Sequence, residues 1–115
     1  MEKSEKNLLL DELSVCYNRI NYLKTLCEEQ NQPEEAVKFE RRKARLKLEI
    51  DGLLRDLFDD WLGSAAQLKE SLKANNVSLQ KAIKDIEKNV KLAQNITKAL
   101  GCVDDAIKVA ADLVT

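Results

Sequence analysis

Residues 65–114 read AAQLKESLKANNVSLQKAIKDIEKNVKLAQNITKALGCVDDAIKVAADLV. Apolar or small residues recur in this stretch at Ala65, Leu68, Leu72, Leu79, Ala82, Ile86, Val90, Ala93, Ile96, Leu100, Val103, Ile107, Ala110 and Val114. Asn75 stands in the one missing place. The steps are almost all three or four residues, and an average near 3.5 keeps one stripe of a helix turned toward a partner. As one helix the stretch has about 50 residues and, at about 1.5 Å each, reaches roughly 75 Å. No other segment can cover that length, so the surplus must fold back or meet another chain.

Toward the N-terminus the same spacing marks two shorter helices. The first runs over about 4–30. Ser4 can cap it and Glu5 suits its positive end. Leu9, Leu13, Cys16, Ile20, Leu23 and Cys27 step by four, three, four, three and four, a strict seam. Asn31 can take the left-handed position that ends it, and Pro33 can open the next helix. A turn this short makes the two helices antiparallel neighbours. The second helix runs over 33–62, with Glu34 and Glu35 in its first turn and a stripe of Ala36, Phe39, Leu46, Ile50, Leu53, Leu57 and Trp61. Lys43 falls on that stripe, which its alkyl stem can join while its ammonium reaches water. Gly52 lies inside the helix, where it costs about 1 kcal/mol against Ala. Gly63 can close the helix, and Ser64 with Gln67 can cap the third.

These patterns predict a single all-α domain over 1–115, an antiparallel three-helix bundle with coiled-coil-like packing and a long C-terminal helix. It becomes a four-helix bundle if the third helix breaks. The candidate breaks are 75–78, where Ser78 could cap a new helix after Asn75-Asn76, and Gly101. The phase of the stripe favours continuity through Asn75, an asparagine on a seam being a register device. Helices one and two, at roughly 40 and 45 Å, would cover the third only to Ala93. Ile96, Leu100, Val103, Ile107 and Val114 would then be bare, forfeiting about 1.5–3 kcal/mol each. They are the interface candidates, for a homo-oligomer or for a helical partner protein.

Composition agrees. The chain has 115 residues, three glycines and one proline, too few for a loop-rich or all-β fold. Nineteen basic and twenty acidic side chains give a net charge of −1, with no global pull toward nucleic acid or an anionic membrane. Histidine is absent, which removes the commonest general base and metal ligand. Cys16, Cys27 and Cys102 are odd in number, and the first two lie about 16 Å apart along one helix, beyond disulfide reach. They point to a reducing, cytoplasmic setting. The first residues hold too short an apolar run for a signal peptide, and no stretch of about 18 apolar residues offers a membrane span.

Residues 38–47 hold six basic side chains in ten, which could lie along phosphates. Glu34, Glu35, Glu40, Glu49 and Asp51 flank them and no aromatic interleaves, which weighs against nucleic acid and for a solvated, paired face. Asp56, Asp59 and Asp60 gather where a helix end disfavours acids. Lys38, Arg41, Arg42, Arg45, Asp56, Asp59 and Asp60 are therefore the candidate partner-docking face. Asn76-Val77-Ser78 and Asn95-Ile96-Thr97 match the glycosylation triplet, a pattern that arises often by chance.

Trp61-Leu62-Gly63, at a turn between helices near mid-chain, resembles the W-x-G tripeptide of small secreted helical-hairpin proteins. That resemblance implies a two-helix hairpin effector or adaptor with a C-terminal secretion signal built on an aromatic and an acid. Here a further helix precedes the tripeptide and no aromatic follows Trp61. No Gly-rich phosphate loop and no nucleophile with a base occurs. The expectation is thus a non-catalytic helical interaction or oligomerisation module, without catalytic residues, cofactor, metal site or small-molecule substrate. A W-x-G-like effector and a nucleic-acid accessory protein are the alternatives.

Overall fold

The computed structural model describes residues 2–55 and 65–113, which form four helices: α1 (Glu2–Glu29), α2 (Pro33–Arg55), α3 (Ala65–Glu87) and α4 (Leu92–Leu113). No strand occurs among the described residues, which form an all-α four-helix bundle. Residues 56–64 fall outside the description, and with them the expected end of the second helix at Leu62, the Gly63–Ser64 turn, the W-x-G tripeptide and Asp56, Asp59 and Asp60.

Asparagine ends both hairpin helices by the same device. At α1, Asn31 takes φ 59°, the Gln32 amide donates to the Cys27 carbonyl at 2.7 Å, and the Asn31 amide to Glu28 at 3.3 Å. At α3, Asn89 takes φ 58°, the Val90 amide donates to Asp85 at 2.9 Å, and the Asn89 amide to Ile86 at 2.9 Å. This pair of bonds satisfies carbonyls that a helix end leaves open, and Asn tolerates the left-handed angle it needs. Pro33 then opens α2, with Glu34 and Glu35 in the first turn, as its sequence predicts.

The long third helix is corrected by that second turn. The chain reverses at residues 88–91, not at 75–78 or Gly101; α3 runs straight through Asn75-Asn76 and α4 straight through Gly101. The stripe misleads because it stays in phase across the turn by coincidence. Val90 and Ala93 belong to it by spacing, yet both are exposed. The buried face of α4 is broader than the stripe and takes in Ile96, Ala99, Cys102, Val103, Ala106, Ile107, Ala110 and Leu113. Among the described residues no overhang remains. Helices of 22–28 residues are about 33–42 Å long, which fits the longest extent of 44 Å.

The bundle ring runs α2–α1–α3–α4 and back to α2, with a thin diagonal contact between α1 and α4 and none between α2 and α3 among the described residues. Each hairpin is antiparallel. Between hairpins the neighbours are parallel: Glu12 and Arg19 meet Asn76, whereas Tyr22 meets Glu87 and Gln30 meets Ile86 further along. Core positions repeat accordingly. Leu9, Leu13, Ile20, Leu23 and Cys27 of α1 have Leu68, Leu72, Leu79, Ala82 and Ile86 of α3 at a constant offset of 59 (9 to 68), and Cys16 answers to Asn75. Ala36, Phe39, Leu46 and Leu53 of α2 answer to Ile96, Ala99, Ala106 and Leu113 at an offset of 60 (36 to 96). All six residues of the α1 seam are buried. Lys43 behaves as its place on the stripe predicts: it is half-buried, its Nζ lies 5.9 Å from the Tyr17 ring centre, and it donates to Asn21 Oδ1 at 3.1 Å.

Two adjacent asparagines set the height of α3 between its neighbours. Asn75 Nδ2 donates to the Cys102 carbonyl of α4 at 2.7 Å, and Asn76 Nδ2 to the Glu12 carbonyl of α1 at 2.9 Å. Arg19 Nη1 donates to the Asn76 carbonyl at 2.7 Å.

Two outcomes test these turns and helices. A methyl at Gly101 meets nothing within 4 Å, so Gly101→Ala should stabilise an uninterrupted α4 by up to about 1 kcal/mol and raise Tm by about 4 °C in calorimetry. Asn89→Ala should cost about 1 kcal/mol while Asn89→Gly costs nothing, measured by urea titration.

Candidate functional site

The parallel pair α1 and α3 leaves a groove along its outer side. On α1, Leu8, Val15 and Tyr22 recur at strict heptad spacing, one residue ahead of the buried seam, and stay 44%, 37% and 43% exposed. Heptad spacing puts them on one face. Across the groove stands Val77 of α3, 67% exposed. Glu12, Val15 and Arg19 from α1 and Lys73, Asn76, Val77, Gln80, Lys81 and Lys84 from α3 enclose an open cavity of about 490 Å³. A second cavity of about 440 Å³ shares Val15, Arg19 and Gln80 and continues to Tyr22, Ile83 and Glu87. Leu8 to Tyr22 spans about 21 Å, four helical turns.

Both acids at this groove are engaged. Glu12 Oε1 accepts from Asn76 Nδ2 at 3.0 Å, and Glu87 Oε2 accepts from the Tyr22 hydroxyl. That hydrogen bond, with the Glu87 charge behind it, holds the Tyr22 hydroxyl above its ordinary pKa. The ammonium groups of Lys73, Lys81 and Lys84 have no hydrogen bond or ion pair among the described residues. In the groove floor Asn76 is 3% exposed, and its Oδ1 is buried with no partner.

The sequence-predicted sites fall elsewhere. Ile96, Val103 and Ile107 are buried in the core of this one chain, and Leu100 packs half-buried against it, because α4 folds back onto α2 and α3. They are core residues, not a bare interface. Val114 lies outside the described residues. The basic run on α2 is largely paired. Lys38 meets Glu35 at 3.1 Å, Arg45 meets Glu49 at 3.8 Å, and Arg42 grips Asp104 of α4 with Nε–Oδ1 at 2.7 Å and Nη2–Oδ2 at 3.3 Å. Arg41, Arg42 and Arg45 do converge with Ile107 and Lys108 on an open depression of about 500 Å³, into which Asp104 also projects.

The α1–α3 groove escapes a reading based on the inner stripe. Its signal was nevertheless present: a second heptad, Leu8-Val15-Tyr22, one residue ahead of the buried Leu9-Cys16-Leu23. Beside it Lys73, Val77, Lys81 and Lys84 step by four, four and three on α3. Among the described residues no group of three His, Cys, Asp or Glu could hold a metal, and no helix is long and apolar enough to cross a membrane. No family model matches the chain, and no curated protein or solved structure matches it.

The cysteines are chemically quiet. Burial, reinforced by Cys102 and opposed by Arg19, pushes the Cys16 thiol up to about 12 from 9.0. Burial and then Glu35 push Cys27 up to about 11. Burial and then Asp105 raise Cys102. A thiol that resists ionisation in the fold favours the folded state fully below pH 9 and loses that advantage as pH rises from 9 toward 12. At pH 8 the native chain should react with iodoacetamide at least about tenfold more slowly than the urea-unfolded chain, followed by mass spectrometry.

Proposed function

We propose that this chain is a non-catalytic helical interaction module that receives an amphipathic helix of another protein in the α1–α3 groove. One observation carries the reading: exposed Val15 and Tyr22, at heptad spacing on α1, and exposed Val77 of α3 line a trough between two parallel helices. A seated helix would add a fifth rod beside α1 and α3, with apolar anchors at i, i+3 or i+4, and i+7. Single exposed apolar residues are ordinary on protein surfaces, but a row in register along a concave face is the pattern of a docking site. The absence of histidine from the sequence and the protonated, buried thiols support a role without covalent or acid–base chemistry.

The test uses the whole chain and an amphipathic peptide of about 18 residues with Leu at those spacings. In a titration followed by NMR, amide shifts should concentrate at Val15, Tyr22, Val77 and Gln80. The double variant Val15→Glu with Val77→Glu should abolish them, while its stability stays within about 1 kcal/mol because both sites face solvent. Shifts confined to the α2–α4 side, or none at saturating peptide, would overturn the reading.

A further inference from the structure

We infer that the partner of the α1–α3 groove is an acidic amphipathic helix, one whose apolar stripe is flanked by Asp and Glu. This rests on the docking reading above and adds the chemistry of the occupant.

The two basic surfaces of the bundle carry similar residues but differ in what those residues are free to do. On the α2–α4 side most cations face their own acids, Lys38 with Glu35, Arg42 with Asp104, Arg45 with Glu49 and Lys47 with Asp51, while Arg41 and Lys108 have no ion pair among the described residues. At the α1–α3 groove the pairing is reversed in kind. The acids are taken by neutral donors, Glu12 by the Asn76 amide and Glu87 by the Tyr22 hydroxyl, which satisfy their oxygens without neutralising any cation. Lys73, Lys81 and Lys84 are left with no ion pair among the described residues. They stand on one face of α3 around Val77, Lys73 and Lys81 one turn to either side of it and Lys84 one turn further on. Arg19 lies across the groove, its Nη1 bonded to a backbone carbonyl and its charge unpaired by any acid among the described residues.

A helix lying on Val15, Tyr22 and Val77 would carry its flanking positions past this row, where acids gain and bases are repelled. A second copy of this chain is the poorer occupant, since two such faces meeting would set lysine rows against lysine rows. Nucleic acid is poorer too, because Val15, Asn76, Val77 and Gln80 between the cations offer no stacking platform beyond Tyr22.

The experiment compares two labelled peptides of about 18 residues with the same Leu stripe, one flanked by Glu and one by Lys, by fluorescence anisotropy against the full chain. The Glu-flanked peptide should bind at least about tenfold tighter, with an affinity that falls as salt rises from about 50 to 500 mM. The triple variant Lys73→Glu, Lys81→Glu, Lys84→Glu, all at exposed positions, should invert the preference. Equal binding of both peptides would sink the acidic partner and leave the docking groove standing. Binding of neither would remove the groove itself. A short single-stranded oligonucleotide that binds more tightly than the Glu-flanked peptide, or a dimer in sedimentation broken by the triple variant, would also overturn the acidic helix.

Discussion

Asn75 and Asn76 are the constraint around which the bundle is arranged. Leu, Ile and Ala can slide past one another by a turn at little cost, so an aliphatic core alone specifies axial position weakly. Neighbours in sequence on one helix point about 100° apart. That angle lets Asn75 reach the Cys102 carbonyl of α4 while Asn76 reaches the Glu12 carbonyl of α1. A slip of α3 against α1 would leave the buried Asn76 amide without its acceptor, which costs about 1–3 kcal/mol, and a slip against α4 would strip the half-buried Asn75 amide of its own. Arg19 adds a return bond to the Asn76 carbonyl. The two hairpins are thereby locked at one height, which is what sets the α1 heptad beside Val77 and the lysines.

Much of this fold is legible in the sequence, because helical periodicity and caps are local. The α1 seam, the Asn31 stop, the Pro33 start and the buried half of α2 follow from spacing and end chemistry. The four-rod arrangement is less legible. Asn89 ends α3 by the same bonds as Asn31 ends α1, yet no proline follows it and the apolar rhythm crosses the turn unbroken. Periodicity records which side of a helix is apolar. It is silent on whether one helix or two carry it. That error moved Ile96, Val103 and Ile107 from the core to an imagined interface. Ring order is a tertiary property, and with it the parallel α1–α3 contact that makes a groove.

The groove was half legible. Leu8, Val15 and Tyr22 run one residue ahead of Leu9, Cys16 and Leu23, so α1 has two apolar seams side by side. A helix with a single seam needs neighbours only toward the core. A helix with two has one left over after α2 and α3 are in place. On α2, by contrast, the surface is rich in charge but balanced, and Arg42 with Asp104 spends its strongest pair on tying α2 to α4. The number of basic residues was visible on both faces; which of them remain unpaired depends on geometry.

The parallel stacking of hairpins also decides how the molecule bears load. Both tight turns, at Asn31 and at residues 88–91, lie at one end of the bundle. The start of α1 and the finish of α4 lie together at the other, with the start of α3 and the last described turn of α2. A pull applied through these two chain ends therefore does not shear long helices past each other along their length. It peels them apart from one edge, breaking contacts a few at a time. The contacts between the start of α1 and the finish of α4 are the first that such a pull loads.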